Sequence, residues 1–200
     1  SHYSNHGTYR YSLIVNFPLG VLMRCCRFSI RMLNGALRRS AHRERHAYPP
    51  ATVANFQAAL GEPNNGNTPG PITGGRRQIN WDGAAGPADP FDMPANQFAG
   101  RGVVFATPGT GFQISGADGD PAVTAANEEF ANINPAYSGL FSTFSPEKLF
   151  TAIGSNVVDV NFFIPGDTTT AANTAGFGAV FTDVDLADAS TIEFFDETDA

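Results

Sequence analysis

From residue 158 the chain reads Val158-Asp159-Val160-Asn161-Phe162-Phe163-Ile164, with Val158, Val160, Phe162 and Ile164 apolar at every second position. Successive side chains of a strand point to opposite faces, so this order suits a strand with one dry face and one wet face. Pro165-Gly166 then ends it. The same period of two returns at Phe177, Ala179 and Phe181, and again at Ile192 and Phe194, where Phe195 interrupts the polar face. Upstream, residues 78–81 read as a short strand closed by Asp82-Gly83. Residues 102–106 read as another, ending at Pro108-Gly109, and 111–115 as the next. Turn clusters separate these runs and no strand–helix–strand rhythm appears. The expected fold is therefore all-β: a jelly-roll-like antiparallel β-sandwich, its apolar rows facing inward between two sheets.

One helix is expected before the strands. Val53, Phe56 and Leu60 stand at helical spacing, with Thr52 as N-cap and Gly61 as the stop, which predicts a short helix over 52–60. Residues 62–75, rich in Pro, Gly and Asn, read as a loop. Residues 121–137 fit neither period, and Ser145-Pro146-Glu147 has the makings of a helical first turn, with Ser as cap and Pro at the first helical position. Six phenylalanines, Phe162, Phe163, Phe177, Phe181, Phe194 and Phe195, are expected to pack inside. Burying each contributes roughly 1.5–3 kcal/mol.

Charge divides the chain. Residues 1–50 hold eight arginines against one acid, Glu44, a net +7. Residues 51–200 hold four cations (Arg76, Arg77, Arg101, Lys148) against eighteen acids, a net −14. All four histidines and both cysteines also lie in the first piece. The break predicts a boundary near Tyr48-Pro49-Pro50: a basic low-order segment at 1–50, outside the domain, and a β-sandwich domain at 51–200. The arginines of the first piece are scattered, which does not suit a nucleic-acid or membrane arm. The apolar stretch 12–23 is broken by Asn16, Pro18 and Gly20 and is too short to span a bilayer. It resembles a degraded leader or spurious upstream sequence. Adjacent Cys25 and Cys26 rarely reach disulfide geometry. The acidic piece lacks the cations that drive nucleic-acid affinity, so no nucleic-acid partner is expected, and binding to anionic lipid is not expected for the same reason.

An ordered set of strings then carries a resemblance. They are Gly75-Arg76-Arg77-Gln78-Ile79-Asn80-Trp81-Asp82-Gly83, Arg101-Gly102-Val103-Val104-Phe105 with Thr107-Pro108-Gly109-Thr110-Gly111-Phe112, the run 150–166, and Gly176-Phe177-Gly178-Ala179-Val180-Phe181-Thr182-Asp183-Val184-Asp185-Leu186. Over residues 56–196 the chain resembles an uncharacterised family of bacterial exported proteins, some with PEP-CTERM-type surface-sorting tails. The resemblance implies a secreted or cell-surface jelly-roll-like β-sandwich with further strands after 194–196, so that this chain is C-terminally truncated. It implies no activity and no site residues.

The chemistry left to residues 51–200 is narrow. Without histidine they offer no Ser-His or Cys-His nucleophile and no His-based zinc site. The histidines at 2, 6, 42 and 46 read as solvated. Paired carboxylates remain open to glycoside hydrolysis, with Asp82, Asp89, Asp92, Glu128, Glu129, Asp183 and Asp185 as the acids. An acid-rich chain nevertheless always offers such pairs. Asp118-Gly119-Asp120 and Asp183-Val184-Asp185 bring oxygens together as Ca2+ requires, against the plainer reading of an acidic turn and a solvated strand end. Trp81 beside Asp82 could stack on and hydrogen-bond a sugar, or anchor the core. Arg76, Arg77 and Arg101 could clamp an anion, or pair with nearby acids. The expected role is a non-catalytic surface or glycan-recognition module. A structural, surface-sorted protein without a soluble ligand is one alternative, and a carboxylate-based glycosidase the other.

Overall fold

The computed structural model describes residues 12–16, 27–32, 50–72, 74–83, 91–116, 129–139, 141, 148–181 and 190–195. Among them the chain is rich in strands and poor in helix. Three sheets are present, and every pair of named strands within them is antiparallel.

In the first sheet, β1 (Ser12–Asn16) lies between β3 (Arg77–Ile79) and β9 (Gly176–Val180). In the second, β2 (Arg27–Met32) lies between β10 (Ser190–Phe195) and β8 (Val157–Phe162), and β5 (Val103–Ala106) flanks β8 on its far side. The third runs β4 (Phe91–Met93), β6 (Gly111–Ile114), β7 (Phe150–Ile153). Eleven residues on the N-terminal side of the charge break thus share sheets with strands on the other side. Register explains how β2 fits. Phe28 stands opposite Val160 and Phe194, and Ile30 opposite Val158 and Ile192. Val158 and Val160 of β8 are buried, whereas Ile192 and Phe194 of β10 are exposed.

The helix α1 spans Pro50–Leu60, two residues earlier than its sequence signals. Val53, Phe56 and Leu60 are half-buried and their neighbours largely exposed. Phe56 and Leu60 rest on β9 because two glycines there make room. A Cβ on Gly178 would lie 2.5 Å from the Phe56 ring, and one on Gly176 would lie 2.8 Å from Leu60.

The main core gathers residues from all three sheets: Ile79, Met93, Val103, Phe105, Phe112, Ile114, Phe150, Val158, Val160, Phe162 and Phe177, with Trp81 and Phe98 from the short helical turns. Trp81 stacks on Phe150 at 4.4 Å between centroids and 8° between planes, with Phe98 at its edge. A smaller cluster of Phe130, Tyr137, Phe141 and Leu149 sits beside it. The alternation 158–162 holds as read, with Val158, Val160 and Phe162 buried and Asp159 and Asn161 half-buried. Phe194 departs from expectation: on β10, the outermost strand of its sheet, it is 61 % exposed, with Ile192 also exposed. Residues 117–128, 142–147 and 182–189, which include the ambiguous stretch and the Ser145-Pro146-Glu147 turn, lie outside the described residues, apart from 129–137, where turns prevail.

Candidate functional site: a polar loop braced by arginines

The two residues that sequence reading joined as a sugar platform separate on folding. Trp81 is 2 % exposed, one face against Phe150 and its rim against Phe98 and Phe105. No ring face is left for a ligand, so of the two roles weighed for Trp81 the core anchor is the one the packing fits. Its Nε1–H has no hydrogen-bond partner among the described residues. Asp82 points elsewhere: its Oδ1 accepts the backbone N–H of Lys148 at 2.8 Å, tying the turn after β3 to the entry of β7. Arg101 is connected to Trp81 indirectly, since its guanidinium lies 5.6 Å from the centre of the Phe98 ring.

The arginines converge on one feature, the Asn- and Gly-rich loop of residues 61–70. Arg77 is 2 % exposed and lies beneath the loop; its Nη1 donates to Gly66 O at 2.8 Å and its Nη2 to Gly70 O at 3.3 Å. Arg76 donates to Gly61 O and Gln78 Oε1 and pairs with Glu62. Arg101 donates through Nε to Asn67 Oδ1 at 2.9 Å and through Nη1 to Gln78 O. Carbonyl oxygens left without strand partners at a loop need donors, and a guanidinium supplies several from one rigid plane. Of the two roles weighed for these residues, Arg76 pairs with Glu62, while Arg77 and Arg101 donate to backbone carbonyls. Burial lowers both of their pKa values, and the charge of Arg101 lowers that of Arg77 further.

The rest of the loop is closed by its own backbone and by two neighbours. Asn65 N donates to Arg76 O and Arg76 N to Pro63 O, forming the loop's neck. Gly75 completes it: φ is +79°, and a Cβ there would collide with the Pro63 carbonyl. Gly70 N donates to Pro165 O, so the turn after β8 docks on the loop, and Gly166 N donates to Ala99 O, tying that turn to the one before β5. In that turn Asp167 accepts from the N–H and hydroxyl of Thr169 and from the hydroxyl of Thr170. Those bonds, first the Thr169 side chain, hold its carboxyl down at about 2. Asn64, Asn67, Thr68 and Pro69 remain exposed on the outer side.

A second polar row crosses the third sheet. Gln113 donates to Asp92 Oδ1 at 2.9 Å and accepts from Asn132 at 2.9 Å. Comparison with family models, curated proteins and solved structures finds no match to the chain.

The acids proposed for a cation, Asp118, Asp120, Asp183 and Asp185, lie outside the described residues. Among the described residues no group of three or more His, Cys, Asp or Glu side chains is placed to hold a metal ion. Among those same residues no helix is long and apolar enough to cross a membrane. Sequence reading missed the loop as a site because its signals were those of any connection. The informative one was the adjacent Arg76-Arg77 pair just downstream, in a piece with only four cations.

Proposed function

We propose that this protein is a non-catalytic, extracytoplasmic recognition module, a jelly-roll-like β-sandwich that binds a glycan or cell-surface polymer through the loop of residues 61–70. One observation carries the reading: a fully buried guanidinium, Arg77, fixes the loop from within, so that Asn67 and Thr68 stand exposed on a held backbone. Binding residues concentrate on loops supported by a rigid scaffold, and a loop already ordered loses less conformational entropy when a ligand docks. Side-chain amides and hydroxyls offer both donors and acceptors, which is what sugar hydroxyls need. The resemblance read from the sequence strings to exported surface proteins motivates the same reading. Of the acids considered for glycosidic cleavage, Asp82 and Asp92 serve the scaffold instead, the first holding the Lys148 amide and the second Gln113.

A panel of neutral and acidic polysaccharides, tested by affinity electrophoresis with the whole chain, checks this. Retardation by at least one polymer is expected, and an Asn67→Ala/Thr68→Ala double variant should weaken it about tenfold or more, about 1.4 kcal/mol. A blank panel, or retardation untouched by the double variant, would remove the loop as the recognition surface.

A further inference from the structure

The loop's chemistry selects among polymers. Residues 51–200 have four cationic side chains, and three of them are sequestered: Arg76 and Lys148 are 9 % exposed and Arg77 2 %. Arg101 is the cation of this piece that keeps substantial access to solvent. Its hydrogen bonds are to Asn67 Oδ1 and Gln78 O, which use two of the five N–H groups of a guanidinium. Neither partner is an acid. Accepting from Arg101 through Oδ1 also fixes the Asn67 amide, whose Nδ2 carries two further donors on an exposed side chain. Beneath lies Arg77, close enough for the two guanidiniums to repel. The acid of the neighbouring turn, Asp167, is engaged by Thr169 and Thr170.

We propose that Arg101 and Asn67 together form a cradle for a carboxylate, and that the polymer recognised is an acidic polysaccharide whose uronic acid units dock there. Planar guanidinium donors suit a carboxylate, and the amide adds a donor from the side. Within residues 51–200, whose net charge of −14 disfavours indiscriminate adsorption of polyanions, Arg101 is the cation whose charge reaches the surface. This inference rests on the loop being the recognition surface.

The probe is polygalacturonate, compared with the same polymer after methyl esterification, which removes the charge and leaves the sugar chain. Retardation in affinity electrophoresis should fall about tenfold or more on esterification. Arg101→Gln should bring the two polymers level. Because Arg101 also braces the loop, Asn67→Asp provides a second arm: it preserves the acceptor for Arg101 and the fold, supplies a competing carboxylate, and should likewise abolish the preference. Equal binding of both polymers by the native chain, or a preference that survives Asn67→Asp, would overturn the carboxylate cradle while leaving glycan recognition standing. No binding to either of these polymers, alongside retardation by neutral ones, would do the same. A blank result with every polysaccharide would overturn both proposals.

Discussion

Deleting residues 1–49 is expected to abolish the cooperative thermal transition. The deletion removes β1 and β2, and with them the strand partners of four other strands. Among the described residues β3 and β9 pair only with β1, and β10 only with β2, while β8 keeps β5 alone. The apolar rows of β8 and β9 then lose neighbours across the ladder, and the backbone groups of β9 and β10 lose their bonds. Unpaired strands with exposed apolar faces seek other chains, so the shortened protein should also associate. Circular dichroism melting with size-exclusion chromatography checks this. A monomeric shortened protein that melts cooperatively near the full-length midpoint would show that the basic segment lies outside the domain, as composition alone suggests.

The second large effect belongs to Trp81. Its replacement by alanine leaves a cavity among Phe98, Phe105 and Phe150, at the point where the third sheet meets the turn after β3. Truncating a buried tryptophan costs about 3–5 kcal/mol, which for a chain of this size lowers the melting midpoint by on the order of 10 °C. Trp81→Phe should cost about 2 kcal/mol or less, because it keeps a ring against Phe150 and removes a buried N–H that has no partner among the described residues. Chemical denaturation of both variants measures the difference. If Trp81→Ala melts like the native chain, the ring is not buried. Its role as a ligand platform would then reopen.

What the sequence revealed follows from how one-sided each strand is. β8 alternates in sequence because one face is dry and the other half-wet, and its bounds were readable to within two residues. β7 was invisible to that test. Phe150, Thr151 and Ala152 are all buried, so no polar beat marks the strand. β4, three residues long, is too short for a period. β2 carries a clean alternation, Arg27-Phe28-Ser29-Ile30-Arg31-Met32, but the charge break drew attention to composition and away from that order. The same limit applies to the site. Trp81 and Asp82 are neighbours in sequence, and that neighbourhood suggested a shared ligand; the helical turn at Trp81–Gly83 sends one inward and the other toward Lys148. The bracing of residues 61–70 depends on contacts between Arg77 and Gly66 and between Arg101 and Asn67, eleven and thirty-four residues apart, which no local pattern encodes.

The account of recognition depends on that bracing being real and local. Amide hydrogen exchange at Thr68 and Gly70, whose N–H groups donate to Asn65 O and Pro165 O, reports it directly when the native chain is compared with Arg77→Met. Loss of the guanidinium should speed exchange at those two amides about tenfold or more while the amides of β8 keep their protection. Unchanged exchange at Thr68 and Gly70 in the variant would mean that the loop holds itself and that Arg77 does not present it.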